Sequence, residues 1–357
     1  FLVIWRHLFN WLIKLLLYVL NMFVNIDPYT KYIRLWLFSI FVLIIFIIAI
    51  GGLTRLTDSG LSITAWELFS GILPPLNLDK WNFYFEEYKK IPEFESINYN
   101  MNLKEFKVIY YWEYAHRLIA RLIGLVSIIP LVIVYFKFRE KFLKDLKYLS
   151  IFVLVCLQGF LGWFMVKSGL IDNTDVSHYR LASHLSVALI VLSLTFWFIL
   201  DNIKIDNFTV KINHIFLNSF LCVIIIQIIF GAFLAGLNGG LLYNTWPDMN
   251  GNFIPDDIVK DDFYRYDSFS NPSIVQFYHR FIAYILIFFL IFLNYFSYKK
   301  KIISKSIIIF NIAILFQVIL GIITLLTGVK IYYASLHQLG SVLVLTSFIS
   351  IYFKNVN

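Results

Sequence analysis

Eight stretches of this chain are too long and too apolar to be tiled around a soluble core: Leu35–Thr54, Leu122–Phe136, Tyr148–Val166, Leu181–Leu200, Ile215–Leu237, Phe281–Tyr298, Ser306–Val329 and Ile331–Phe353. Crossing the hydrocarbon of a bilayer takes about 20 mostly apolar residues. A single segment placed there can satisfy its own backbone only as an α-helix. Leu122–Phe136 reaches that length only if Ala115–Arg121 joins it, which brings two arginines into the span. Composition agrees, with 60% hydrophobic and 15% charged residues among 357, where a soluble domain carries about a quarter charged. The sequence therefore predicts an all-α integral membrane protein with eight transmembrane helices.

The first residues behave differently. Arg6 and Lys14 interrupt Phe1–Ile26, and only twelve uncharged residues follow Lys14. Residues 1–30 are expected to form a helix lying in the membrane interface, with a ninth span as the alternative. No Arg/Ser-rich transit peptide or signal cleavage site is evident there. The net charge of +8 sits mainly between spans: Lys137, Arg139, Lys141, Lys144 and Lys147 after the second, and Lys299, Lys300, Lys301 and Lys305 after the sixth. Lys31, Arg34 and Lys354 lie on the same side if the spans alternate. Positive loops mark the cytoplasm, so both termini are expected to be cytoplasmic and the acidic Asp256, Asp257, Asp261, Asp262 and Asp267 to face outward. Basicity of this kind needs no nucleic-acid partner. Cys156 and Cys222 each lie inside an apolar run and read as small buried hydrophobes, not as a disulfide framework.

The chain contains its own shape twice. Gly51, Gly60, Leu61 and Trp66 recur as Gly231, Gly240, Leu241 and Trp246, each 180 residues on. His116-Arg117 and Ala120 recur as His279-Arg280 and Ala283; Gln158, Gly162 and Gly169 as Gln317, Gly321 and Gly328; Tyr179 and His184 as Tyr332 and His337. Four matches in the same order imply duplication. A unit of four spans re-enters the membrane in the same sense, so the copies should be related by an axis along the membrane normal. The expectation is two tandem four-helix bundles related by a pseudo-twofold, with halves at 31–205 and 206–357.

Four of seven histidines fall at repeat-related positions: His116, His184, His279 and His337 open spans two, four, six and eight. Alternation puts every even span's start on the outer side, so all four rings belong one to two helical turns below that surface. One such histidine would read as an interfacial residue. Four in one layer read as ligands, since ionisable groups inside a membrane are functional candidates by default. His7, His178 and His214 lack the pattern and read as ordinary surface or interfacial residues. Closed zinc sites want four ligands, usually with thiolates, and no cysteine is near. Copper accepts imidazole. Haem iron takes one axial ligand on each face, which histidines on facing helices supply.

The flanking residues fit a haem. Arg117, Arg121 and Arg280 would meet propionates at the outer edge, Arg being suited to bidentate carboxylate pairing, although snorkelling to the interface serves Arg121 equally well. Gly159, Gly162, Gly231, Gly236 and Gly321 allow close approach of either a macrocycle or a helix. Gln158, Gln227 and Gln317 each precede a glycine by four residues, and a bond to a neighbouring helix is the simpler use for them. Glu113 lies one turn before His116, where the other half has Gln276, which suggests unequal roles for the halves.

These residues resemble the haem A synthase family. The resemblance lies in Gly51-Gly52-Leu53-Thr54-Arg55-Leu56-Thr57-Asp58-Ser59-Gly60-Leu61-Ser62 with Trp66 and Pro74-Pro75, and in Tyr110-Tyr111-Trp112-Glu113-Tyr114-Ala115-His116-Arg117-Leu118. It continues through Gly231–Leu237, Tyr243–Met249, Gln276–Arg280 and His337-Gln338, covering the chain from about Asp27 onward. The resemblance implies oxidation of a methyl group of haem O to the formyl of haem A for terminal oxidases. It further implies haem b as cofactor on His279 and His337, and haem O as substrate on His116 and His184 with Glu113 beside the reacting edge. Partners implied are the haem O synthase, an electron donor that the sequence does not identify, membrane lipid and the assembling oxidase; a homo-oligomer is left open. The outer loop after span one lacks the cysteine pair of some members, as in the proteobacterial and mitochondrial branch, which points to a bacterial inner membrane. Two other classes compete. A di-haem b electron-transfer protein of the quinol or ascorbate reductase type would place haems near both surfaces. A parallel-repeat transporter would leave four co-layered histidines unexplained.

Overall fold

The computed structural model describes residues 26–66, 70–170, 176–203, 205, 207–302 and 304–356. The interfacial helix expected within 1–30 thus falls outside the described residues as far as residue 25. Eight helices are long and apolar enough to cross a membrane. They are α1 (Pro28–Leu56), α2 (Leu103–Lys137), α3 (Leu149–Gly169), α4 (His178–Asn202), α5 (His214–Gly236), α6 (Pro272–Lys299), α7 (Lys305–Leu326) and α8 (Ile331–Val356). Each apolar run falls on one of them, to within a turn at its ends.

Local chemistry sets the boundaries. Asp27 and Asn271 accept from the first free N–H groups of α1 and α6, each followed by a proline at the first turn. That proline gives up an N–H that would have no helical partner. Asn102 and Glu105 form a reciprocal capping box at the start of α2. With 35 residues α2 is about 50 Å long at ~1.5 Å per residue, more than the bilayer's apolar thickness. Its first turns therefore project, and Phe106 and Tyr110 pack there against Trp81, Phe85 and Tyr88 of a short helix, Leu78–Tyr88. The second span needed Ala115–Arg121 to reach membrane length, and α2 includes those residues.

Helix pairs α1–α2, α2–α3, α3–α4 and α1–α4 pack in the first part of the chain, and α5–α6, α7–α8 and α5–α8 in the second. Contacts α4–α5, α1–α8 and α4–α8 join the two. α8 is the most enclosed helix, with 56% of its most apolar window buried, against 6% for α3. Lipid tails are as apolar as leucine, so such helices associate through close packing and polar contacts. Phe220 of α5 meets Phe310 and Phe348 with ring centres 5.4 and 5.0 Å apart. Asn294 of α6 and Asn311 of α7 exchange amide hydrogen bonds of 2.7 and 2.9 Å. Cys156 and Cys222 are exposed on the bundle surface, not buried as their apolar neighbours suggest, because those neighbours face lipid.

Candidate functional site

The structure brings the four repeat-related histidines together as two pairs. The rings of His116 and His184 have centres 6.5 Å apart with planes at 61°. Those of His279 and His337 are 6.4 Å apart at 81°. Each ring leans on a glycine of a neighbouring helix. A Cβ added at Gly51 would lie 3.1 Å from His116 Nε2, at Gly162 3.0 Å from His184 Cε1, at Gly231 3.2 Å from His279 Cε1, and at Gly321 2.9 Å from His337 Cε1. Any side chain there would displace the ring. These glycines stand five to seven residues before the ends of α1, α3, α5 and α7, so all four rings lie toward one end of the bundle. By contrast, a Cβ at Gly159 would meet nothing within 4 Å, and one at Gly236 would meet the backbone of His178 at 2.8 Å.

Glutamines complete the ring environment. Gln158 Nε2 lies 3.2 Å from His184 Nε2, and Gln227 Nε2 lies 3.3 Å from both ring nitrogens of His279. Gln317 donates to the backbone carbonyl of His337 at 2.8 Å. The expected bond to a neighbouring helix forms in all three, and for Gln158 and Gln227 the group reached there is an imidazole. The place of Gln227 in the first half is Ile47. His184 Nδ1 and His337 Nδ1 are buried without a hydrogen-bond partner, an arrangement that costs free energy unless something binds them.

Directly after two of the histidines, arginines hold the loops that leave α1 and α5. Arg117 donates to Ile63 O at 2.8 Å and Ala65 O at 3.0 Å. Arg280 donates to Tyr243 O at 2.7 Å and Thr245 O at 2.9 Å, the places 180 residues on, and to Asp248 O at 2.8 Å. The sequence offers both guanidiniums to propionates; the structure also gives them loop carbonyls. Arg280 Nε remains buried without a partner. Arg121 lies one turn beyond Arg117 on α2.

Glu113 is buried, with 4% of its side chain exposed, and is not a solvated residue on an amphipathic outer helix. Arg117 donates Nε and Nη2 to Oε1 at 2.9 and 2.7 Å. Ser62 Oγ and the Ile63 N–H reach Oε2 at 2.8 and 2.7 Å. At the repeat-related place Gln276 donates to Tyr243 O at 3.0 Å, and its own Oε1 is buried without a partner. Beside it, Asp257 accepts from Tyr243 and from Ser273 Oγ at 2.6 Å. Burial pushes the Asp257 carboxyl up, yet those two donors hold it below the usual carboxylate range. His178, expected at the surface, is 8% exposed and packs between Tyr179 and Phe233, with ring centres 4.0 and 5.5 Å away.

Haem iron takes one ligand on each face, and two imidazoles 6.4–6.5 Å apart would leave room for one such iron between them. Both pairs are spaced for that. Among the described residues no cluster of three or more histidine, cysteine or carboxylate side chains could share a metal, so neither pair has the ligands of a closed zinc site. The paired spacing, the buried unpartnered ring nitrogens and the glycine seats suit a flat macrocycle with two axial imidazoles. Sequence reasoning missed Gly51 as a ring seat, the loop carbonyls under the arginines and the glutamine–imidazole contacts. The spacing Gln-x-x-x-Gly was the available signal for the last, since it puts amide and glycine one turn apart on one face.

Residues 34–349 match the family described as cytochrome oxidase assembly protein. A haem A synthase of Pelagibacter ubique is 59% identical over 336 residues, 94% of this chain and all of the relative. Haem A synthases of Rickettsia bellii and Rickettsia felis are each 42% identical, over 323 and 327 residues, covering 88% and 89% of this chain and 96% of each relative.

Proposed function

This chain belongs to the cytochrome oxidase assembly protein family and converts haem O to haem A, and we propose that it does so across two repeat-related halves, residues 31–205 and 206–357. Each half is a four-helix bundle, and a pseudo-twofold along the membrane normal relates them. In this reading His279 and His337 hold a resident haem b with Arg280 at its edge. His116 and His184 receive haem O, with Arg117 and Arg121 at its edge. The observation that carries the reading is the spacing of both ring pairs, 6.5 and 6.4 Å, the separation of two axial imidazoles.

A bound haem b supplies one-electron redox chemistry. The protein's part is to orient and to stabilise charge. The glycine seats fix the rings, and Arg117 and Arg280 tie the loops over them. Turning a methyl into a formyl group replaces two C–H bonds of one carbon with a C=O bond, so an oxygen atom enters as electrons and protons leave. Glu113, held by four donors one turn from His116, offers a fixed negative charge beside positive charge that develops there. The histidine end of the bundle faces outward from a bacterial inner membrane, with both termini in the cytoplasm. A haem O synthase supplies the substrate and the assembling terminal oxidase takes the product, with electrons handled by a separate partner.

The test is haem content. Purified His279→Ala or His337→Ala protein should retain much less haem b than wild type, because each loses one axial ligand. Wild-type haem b in both variants would refute the ligand assignment.

A further inference from the structure

Among the polar contacts that cross between the two halves, one joins the helix of His337 to the helix that seats His116. Gln338, the residue after His337 on α8, donates its amide to Ile48 O of α1 at 3.0 Å. A Cβ added at Gly52 would fall on the Gln338 side chain itself. The preceding residue, Gly51, is the seat of His116. Two adjacent glycines on α1 thus touch one histidine pair and the neighbour of the other, giving a continuous run His116, Gly51, Gly52, Gln338, His337.

The duplication supplies an internal comparison. The counterparts of Gln338 and Gly52 are Leu185, directly after His184 on α4, and Ala232, directly after Gly231 on α5. Helices α4 and α5 pack together as α8 and α1 do. The counterpart positions there carry leucine and alanine, neither of which has a side-chain amide to offer. Apolar packing is therefore sufficient to join such helices, and the amide at Gln338 is more than filler. An amide within a span is costly unless it is hydrogen-bonded, and a bond to one particular carbonyl fixes the rotation of α8 against α1.

We infer that Gln338 is a positioning residue that locks α8 to α1 and couples the two imidazole pairs through Gly51 and Gly52. The inference rests on the reading of both pairs as haem ligands. Coupling needs a demonstration that a change at one site is felt at the other.

The readout is the low-spin ferric electron paramagnetic resonance signal and midpoint potential of the haem held by His279 and His337, in detergent-purified full-length protein. The perturbation is His116→Ala, which removes a ligand from the other pair. It is introduced into wild type, into Gln338→Leu and into Gly52→Ala/Gln338→Leu, the last recreating the alanine–leucine pairing of Ala232 and Leu185. In wild type, His116→Ala should shift both signal and potential. In the two Gln338→Leu backgrounds the shift should vanish, while the double variant keeps the haem and a melting temperature close to wild type. Should Gln338→Leu alone lose haem, the double variant decides. An equal shift in every background, no shift in wild type, or loss of this haem from the double variant would each overturn the coupling. A wild-type protein lacking a two-histidine low-spin signal altogether would instead overturn the ligand reading.

Discussion

Glu113→Gln separates a fixed charge that serves the reaction from a carboxylate that only anchors a loop. The carboxylate accepts four hydrogen bonds, two from Arg117 and two from Ser62 and Ile63. Left in place, an amide would set its NH₂ against two of those donors. The second half shows another arrangement, in which Gln276 donates to Tyr243 O while Arg280 keeps its loop carbonyls. The amide introduced by Glu113→Gln can copy it, donating to Ile63 O while Arg117 keeps Ile63 O and Ala65 O. Two charge-assisted bonds at about 1.5–3 kcal/mol each are lost and one neutral bond of about 1 kcal/mol is gained. The net cost is about 2–5 kcal/mol, so folding and haem binding should survive. If the charge assists the reaction, removing it should lower haem A formation by about 10²–10³-fold, the usual effect of deleting one preorganised electrostatic partner. Ser62→Ala is the comparison: it removes one charge-assisted donor, costs about 1.5–3 kcal/mol and keeps the charge, so haem A should stay within a few-fold of wild type. The assay is chromatography of haems extracted from cells supplied with haem O, beside detergent melting curves of each variant. Near-normal haem A from Glu113→Gln would refute the reasoning. So would a loss in Ser62→Ala as deep as in Glu113→Gln, which would leave Glu113 as a loop anchor.

Gly162→Ala should reduce haem bound at the His116/His184 pair, since the added methyl would stand 3.0 Å from His184 Cε1, whereas Gly159→Ala on the same helix meets open space and should not; equal haem content in both would show that the seat is unimportant. Asp27, whose carboxyl is lowered to about 2 by Thr30 and Lys141, contributes stability that is complete above its unfolded value near 3.8 and is lost as pH falls toward 2. The melting gap between wild type and Asp27→Asn should therefore stay constant down to about pH 4 and narrow steadily from there toward about pH 2, and a gap independent of pH would contradict this. Lys141→Cys should resist an impermeant thiol reagent added to intact cells, and labelling from outside would reverse the proposed orientation.

The spans were legible because apolar length is a one-dimensional property. Even α2 could be read once Ala115–Arg121 was allowed into the membrane. The histidine pairing was legible because the repeat supplied register: equal spacing in two copies places residues at one depth without knowledge of packing. Contacts that depend on rotation about a helix axis were not. Gln158 and Gln227 turn toward imidazoles while Gln317 turns toward a backbone carbonyl, a difference that the shared Gln-x-x-x-Gly spacing does not encode. Burial misled in both directions. Cys156 and Cys222 lie among apolar residues because they face lipid, and His178 is polar yet enclosed by Tyr179 and Phe233. In a membrane, hydrophobicity reports depth, and it no longer separates inside from outside.

What the two halves share and what they do not share argue for different occupants. Both keep the glycine seat under each ring and the arginine that clamps a loop, and the proposal of a flat ligand between imidazoles rests on these features in both. Three of the polar positions at which they differ bear on this. Gln227 touches His279 where Ile47 stands in the first half, Gln338 braces the helix of His337 where Leu185 stands, and Glu113 brings a charge where Gln276 stands. Hydrogen bonds to a ligating histidine orient the ring and strengthen metal binding. The second half has such an amide at His279 and a braced helix at His337, as suits an occupant that stays. The first half has Gln158 at His184 but isoleucine in place of the amide at His116, and it has the carboxylate. A more loosely fixed ring beside a fixed charge suits an occupant that enters, reacts and leaves. The asymmetry therefore supports placing haem b in the second half and haem O in the first, on grounds independent of family resemblance.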